Sequence, residues 1–545
     1  MAPPERSIES SRLDEHAEEV VDGRRGSRHS GRTRELILFT WALLATATVI
    51  VLAVWVQHNQ QTSDRPSHPA KRSLVFMVSD GMGPASLSLA RSFRQLVDNL
   101  PIDDTLTLDR HFWGTSRTRS SNSLVTDSAA GATAFSCGEK SYNGAIATLP
   151  DFTPCGTVLE AAKRAGYATG LVVTTDITDA TPACFASHVN YRIQNDEIAL
   201  QEIGQGPLGR VVDLMLGGGR CHFLPNSSSG SCRQDDVDVV RLARRAGWTY
   251  VDDRPGFNAL GGGRNLTLPT LALLAGGDFP FEIDRRKMDE LYPSLSEMTA
   301  TALEAMEFAT RNSDKGFFLM IEGSRIVHAG HQNDPATQVR EVLEYDKAFR
   351  AVVDFIGRSE SEIVLVATSD HETGGLSTAW RECISSSQHR ASPLADPHSV
   401  EEPGHLPVYD WYPSVLAKAN ASAEHLARLL QEHISSLPAR TPASAASLRD
   451  WINLRLVIDQ LGITDAPDED LDLLVSNPEL AATTFAGMVS SRAHVGWATQ
   501  GHSAVDVHIY SSGGPGTEKL RGNVENTDSM PSPSPVSFLT PGLRR

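Results

Sequence analysis

Short apolar runs alternate along most of the chain with stretches whose apolar residues return every three or four positions. Leu74–Val78, Ala168–Thr174, Phe317–Ile321 and Ile363–Ala367 are nearly continuous apolar runs between turn residues, the pattern of strands buried on both faces. Val158–Arg164, stopped by Gly166, reads as a helix, as does Gln338–Gly357, where Val339, Val342, Leu343, Phe349, Val353 and Ile356 recur at helical spacing. Such alternation predicts an α/β fold, a mostly parallel central sheet flanked by helices. Two LGGGR copies, Leu216–Arg220 and Leu260–Arg264, are too short for a repeat architecture and read as turns. From about Asn523 the chain is rich in Ser, Pro and Asn, the composition of a disordered end.

One stretch departs from this pattern. Leu36–Val56 runs twenty-one residues without a charge, and about 20 suffice to cross a bilayer. Arg24, Arg25, Arg28, Arg32 and Arg34 precede it, against Arg65 and Lys71 after it. The positive-inside rule therefore predicts a single-pass type II anchor, with residues 1–35 as a cytosolic tail, 36–56 as the transmembrane helix, 57–71 as a polar stem and the rest luminal. A cleaved signal peptide would begin nearer the start and end in small residues. Three Asn-x-Ser/Thr sequons, at Asn226, Asn265 and Asn420, suit a luminal glycoprotein. Cys221 and Cys232, either side of a Ser/Gly-rich turn, could close a small disulfide loop there.

Charge narrows the function classes. With 49 Lys+Arg against 67 Asp+Glu, a net −18, the chain lacks the basic excess that neutralises nucleic-acid phosphates. Six cysteines in 545 residues exclude a disulfide scaffold or a zinc-finger array.

The chemistry clusters immediately after the predicted strands. Asp80 follows the first, Asp176 and Asp179 the second, Glu322 the third and Asp370-His371 the fourth. Open α/β sheets bind ligands outside the carboxyl ends of their strands, so these side chains can converge. An acidic residue after a strand is ordinarily a turn or cap residue; several strands ending alike, with His331 and His502 available, point to a metal centre. Carboxylates suit magnesium, and a carboxylate–imidazole mixture suits zinc. Ser128 in VTDSAAGATAF is the candidate nucleophile, at the positive end of a small-residue helix that Asp127 or Ser128 would cap. No G-x-S-x-G elbow accompanies it. Arg192 could fork onto two phosphate oxygens.

The motifs VSDGMG, TDSAAGATA, DATPACFASH, EIDRR, FFLMIEGSRI, TSDHETGG and GHSAVDV, in this order across about residues 72–515, resemble the alkaline phosphatases, and the N-terminal anchor resembles the fungal vacuolar members. The resemblance implies hydrolysis of small phosphate monoesters through a phosphoserine at Ser128, with Arg192 clamping the phosphate. It implies two zinc ions and one magnesium per subunit. Asp80, Asp370 and His371 would hold the second zinc, His331 and His502 the first, and Asp179, Thr181 and Glu322, with Asp80 bridging, the magnesium. It further implies a homodimer at a vacuolar membrane, a crown-like insertion at about residues 380–490, and a flexible tail at 516–545.

One position departs from the family pattern. Where EGxxIDH supplies an aspartate to the first zinc, this chain reads EGSRIVH, with Val327. An isopropyl group cannot ligate, and a catalytic zinc ordinarily has three protein ligands. Three expectations follow: an active phosphatase, one impaired at the first zinc site, or a catalytically silent homologue. Asp334, seven residues on, is the one nearby carboxylate that could compensate. Gln500, where relatives often carry His, is a second and milder departure.

Overall fold

The computed structural model describes residues 29–63, 71–379, 410–437 and 442–529. The expected cytosolic tail up to residue 28, stem residues 64–70, residues 380–409 of the expected insertion and residues 530–545 lie outside the described residues. The chain divides into two compact units, residues 1–68 and 69–545. The first contains helix α1 (His29–Ser63). Within it Arg34–Val56 is long and apolar enough to cross a membrane, with mean hydropathy 2.4 and none of it buried within the protein.

The second unit is built on one ten-stranded sheet. Its strands are β1 (Arg72–Val78), β2 (Phe112–Arg117), β3 (Ala168–Asp176), β4 (Leu214–Gly218), β5 (Thr249–Val251), β6 (Thr270–Leu273), β7 (Phe317–Glu322), β8 (Glu362–Thr368), β9 (Val507–Ser511) and β10 (Gly522–Glu525), in the spatial order β10-β2-β9-β8-β1-β7-β3-β4-β6-β5. Every pair is parallel except those made by β9, which runs antiparallel to β2 and β8. The four strands expected from apolar runs are β1, β3, β7 and β8, and they lie adjacent at the centre of the sheet.

Central strands read as continuous apolar runs because each face meets a different core. On β1, Leu74, Phe76 and Val78 pack with Phe135, Val158 and Leu159, whereas Val75 and Met77 pack with Met298, Met306, Val342 and Phe349. Each such buried side chain contributes about 1.5–3 kcal/mol. Helices α2 (Ser128–Cys137), α3 (Val158–Arg164) and α4 (Ala180–Ala186) accompany the first core, and α5 (Leu295–Thr310), α6 (Arg325–His331) and α7 (Pro335–Arg358) lie with the second. A third core joins the helices Ala423–Ser436 and Ala481–Ala493 to Val339 of α7 and to Leu89 and Phe93. The described part of the expected insertion is therefore a helical layer sharing its core with the sheet domain.

Three expectations are corrected. The expected tail at 516–545 and the disordered end from Asn523 begin too early, because β10 pairs with β2 from Gly522 to Glu525; edge pairing orders a segment whose composition alone reads as loop. The first LGGGR copy is a turn only in its last two residues: Leu216–Gly218 end β4, Gly219 at φ +80° and Arg220 turn the chain, and a Cβ at Gly218 would lie 2.2 Å from the Gly277 carbonyl, so the close approach demands glycine. Cys221–Cys232 is a disulfide, and Cys137–Cys155, which no spacing signalled, is a second. Asn226, Asn265 and Asn420 are all exposed.

Candidate active site

The sheet register decides which residues meet. Val78 of β1 pairs with Glu322 of β7 on one side and Thr368 of β8 on the other, so the segments leaving these strands emerge side by side. Gly81 turns the chain after Asp80 with φ +78°, a conformation that favours glycine, and its N–H donates to Asp370 Oδ1 at 3.1 Å. Ser369 Oγ donates to the Ser79 carbonyl at 2.6 Å, joining the two loops. Asp127 caps α2 by accepting from Ala130 N at 2.9 Å, which makes Ser128 the first helical residue. The helix approaches so closely that a Cβ at Gly131 would lie 3.0 Å from Asp370 Cβ.

These constraints aim Ser128 at the carboxylates. Its Oγ lies 3.1 Å from His371 Nε2, which is itself 3.0 Å from Asp370 Oδ2 and 3.6 Å from Asp80 Oδ1. Thr373 Oγ1 contacts the other ring nitrogen of His371 at 3.2 Å, orienting the imidazole. Asp80, Asp370 and His371 are buried and bring one ligand atom each within 4.8 Å of the others. Asp80 Oδ1 and Asp370 Oδ2 are buried without a hydrogen bond. Two orphaned carboxylate oxygens facing an imidazole are costly unless a cation sits between them, so the donor set fits a divalent ion.

Asp179, Thr181 and Glu322 arrive from β3 and β7. Asp179 Oδ1 accepts from Ala180 N at 2.7 Å and from Arg192 Nη2 at 2.8 Å. The other arm of Arg192 lies 3.6 Å from Asp127, so this guanidinium bridges the cap of the Ser128 helix and the carboxylate group. Thr181 is buried with no hydrogen-bond partner for its hydroxyl, and Glu322 is buried accepting from Ser324 Oγ at 2.6 Å. Burial, followed by the charges of Asp370, Glu322 and Asp179, pushes Asp80 well above the usual carboxylate range. Burial, with Asp179 and Asp370 adding, pushes Glu322 up to about 8. Burial raises half-buried Asp179 too, but Arg192, His328 and the Ala180 N–H together outweigh it and hold this carboxyl low. Four carboxylates around one arginine leave negative charge uncompensated, the electrostatics of a site for divalent cations.

A second group is smaller. His331 Nδ1 lies 2.5 Å from the Gln500 carbonyl and His502 Nδ1 lies 2.8 Å from the Thr126 carbonyl. A carbonyl only accepts, so both Nδ1 atoms carry the proton and both Nε2 lone pairs are free. These two Nε2 atoms face each other at 3.2 Å. Burial lowers the basicity of both rings, that of His502 to about 3, so both stay neutral, the form able to ligate a cation. Among the described residues no third His, Cys, Asp or Glu ligand atom completes this pair within 4.8 Å. Val327, four residues before His331 on the same face of α6, is buried against Gly81, where a Cβ would lie 2.8 Å from its own.

Asp334 does not compensate. Its carboxylate caps α7, accepting from Thr337 N at 3.0 Å and Thr337 Oγ1 at 2.6 Å, and also accepts from Ala423 N at 2.9 Å. All ten expected site residues stand at this end of the sheet. Sequence reading overlooks Thr373, two positions beyond His371 on a two-residue strand, and Asp278, which receives Arg325 Nη1 at 2.7 Å and carries no motif.

Comparison with known proteins bears on the family and the fold. The alkaline phosphatase family profile matches residues 71–532. The repressible alkaline phosphatase of Saccharomyces cerevisiae is 49% identical over 92% of this chain and 88% of its own, and an alkaline phosphatase of Schizosaccharomyces pombe is 42% identical over 89% and 84%. Among solved structures, the Thermus thermophilus alkaline phosphatase superposes with TM-score 0.66 at 27% identity, covering 86% of this chain and 91% of its own. A cold-active alkaline phosphatase from Shewanella sp. gives TM-score 0.64 at 28% identity, covering 84% and 97%.

Proposed function

The chain belongs to the alkaline phosphatase family, and from that premise we propose that it hydrolyses phosphate monoesters through a phosphoserine at Ser128, with turnover held down by Val327. The observation that carries the reading is Ser128 Oγ at 3.1 Å from His371 Nε2, beside the orphaned oxygens of Asp80 and Asp370. Zinc held by Asp80, Asp370 and His371, and magnesium held by Asp80, Asp179, Thr181 and Glu322, would supply the positive charge that favours a serine alkoxide and offsets the phosphate.

The chain's own residues do the positioning. Arg192, fixed by Asp179 and Asp127, presents its guanidinium to two non-bridging phosphate oxygens. The α2 N-terminus places its free N–H groups and positive dipole toward the same phosphate. Ser128 gives its hydroxyl proton to solvent as its Oγ bonds to phosphorus, and the ester oxygen leaves in line, taking a proton from water. Water then attacks the phosphoserine from the opposite side, releasing phosphate and returning the proton to Ser128.

His331 and His502 form only two thirds of a catalytic zinc site, and no step is assigned to them. The expected consequence is slow turnover rather than loss of the nucleophile. Full-length protein in detergent, given zinc, magnesium and excess labelled phosphate and quenched in acid, should carry label that Ser128→Ala lacks. Absence of label from the wild type would support the silent homologue instead. The same reading assigns α1 as a single-pass anchor with the sheet domain luminal, at the vacuolar membrane, and two copies as a homodimer. Glycans at Asn226, Asn265 and Asn420, seen as an endoglycosidase-sensitive mass, would support the luminal side, and an unglycosylated protein would oppose it.

A further inference from the structure

The segment after α2 contains an aromatic residue where its backbone favours glycine. Thr148 bridges Pro154, Leu149 N donates to the Thr153 carbonyl at 2.8 Å, Phe152 N donates to the Leu149 carbonyl at 2.8 Å, and Asp151 accepts from Thr153 N at 3.0 Å, forming a tight hairpin. Residue 152 closes this hairpin at φ +65°, a position suited to glycine or asparagine. Phenylalanine stands there instead, 53% exposed, so its ring adds backbone strain with little burial in return.

The ring has aromatic company. Tyr142 meets Phe152 edge-on with centroids 5.4 Å apart, and Tyr191, half exposed, lies 6.1 Å from Tyr142 on its other side. Tyr142 is held by its hydroxyl, which donates to the Asn190 carbonyl at 2.8 Å. The group is tied to the nucleophile from two directions. Cys155, next after the hairpin, is disulfide-bonded to Cys137 at the end of α2, the helix that Ser128 begins. Tyr191 packs on Gly144, whose N–H donates to Asp127 Oδ2 at 2.9 Å, and it immediately precedes Arg192, whose own N–H donates to the Gly144 carbonyl at 2.9 Å.

We propose that Phe152, Tyr142 and Tyr191 form a shelf beside Arg192 that receives a flat ring in the alcohol part of the substrate, so that the site prefers ring-bearing phosphate monoesters to small aliphatic ones. This rests on the reading of Ser128 and Arg192 as a phosphomonoester site. The occupant follows from continuity: Tyr191 packs on Gly144, whose N–H donates to the same Asp127 carboxylate that Arg192 faces, so the rings adjoin the phosphate clamp, and exposed aromatic faces stack on planar rings. An aryl phosphate carries its ring directly on the ester oxygen, and a nucleotide carries it one sugar away.

The test measures binding of non-hydrolysable analogues to full-length, zinc- and magnesium-loaded protein in detergent by calorimetry. The probes are methylphosphonate, phenylphosphonate and the methylene phosphonate analogue of adenosine 5′-monophosphate. At least one ring-bearing probe should bind five- to tenfold tighter than methylphosphonate, and which one does so separates aryl from nucleoside esters. Phe152→Gly, which relieves the strained backbone and so should fold, and Tyr191→Ala should each remove most of that preference while leaving methylphosphonate affinity unchanged. Equal affinities in the wild type, or a preference that survives both substitutions, would overturn the shelf and leave the phosphate site standing. Failure of all three probes to bind would overturn the phosphomonoester reading, and the shelf with it.

Discussion

Replacing Val327 with aspartate should cost stability without metal and recover most of it with zinc. Val327 is 4% exposed and packs on Gly81, the residue after Asp80. Withdrawing its isopropyl group from the interior forfeits about 1.5–3 kcal/mol, and an unpaired buried carboxylate costs at least about 1–3 kcal/mol more. Metal-free Val327→Asp should therefore be less stable than wild type by roughly 3–5 kcal/mol, near the upper end for one substitution. In zinc most of that loss should be recovered, because a carboxylate one helical turn before His331 can complete the His331–His502 pair. Each tenfold gain in affinity returns about 1.4 kcal/mol, so zinc a thousandfold above the dissociation constant, worth about 4.1 kcal/mol, would offset the loss. The assay is thermal melting of wild type and variant with a strong chelator and with buffered zinc, alongside zinc content by elemental analysis. The variant should melt lower than wild type under chelation, close most of that gap in zinc, bind one more zinc per chain and turn over faster. If it melts lower by the same margin in both conditions and binds no additional zinc, position 327 does not face the histidine pair and the account of impairment is wrong.

Two further expectations follow from contacts away from Val327. Asp334→Ala should cost about 2–3 kcal/mol through loss of a helix cap and of the bond to Ala423 N, while zinc content stays unchanged; lost zinc would mean that Asp334 reaches the histidine pair after all. His188 should make stability depend on pH: burial draws its basicity down, but the Glu160 carboxylate at 2.6 Å and the Ala147 carbonyl at 2.9 Å together outweigh burial and leave its pKa above the ordinary 6.5. The charged pair is thus fully stabilising below pH 6.5 and is lost as pH rises through the raised folded value. His188→Gln should cost about 1–2 kcal/mol more at pH 6 than at pH 8.5, and an equal loss at both pH values would contradict the pairing.

The long apolar helix, the central strands and the place of Ser128 at a helix start are legible in the sequence because each depends on local order. A charge-free run of twenty-one residues reads as membrane-crossing whatever surrounds it. Strands β1, β3, β7 and β8 are apolar on both faces, a pattern that survives without knowledge of their neighbours. The outer strands are not legible: β5 has three residues, β4 ends in glycines, and β10 owes its conformation to pairing with β2. Motif order is legible for the site residues that leave a strand or start a helix there, Asp80, Asp179, Glu322, Asp370, His371 and Ser128, whereas Arg192, His331 and His502 come from a turn, a helix end and a two-residue strand.

What Val327 costs is a tertiary matter. The sequence shows valine where the family pattern carries aspartate and offers Asp334 as a replacement, but linear distance says nothing of where a carboxylate points. Asp334 is held by three donors from its own helix and from the segment at Ala423, eighty-nine positions away. The facing of His331 and His502 is likewise decided by carbonyls of Gln500 and Thr126, which fix both tautomers. Local order chose which residues are available to the site, and long-range hydrogen bonds decided which of them are free to act, because a donor or acceptor already satisfied in the interior is held there by the cost of leaving its partner unpaired.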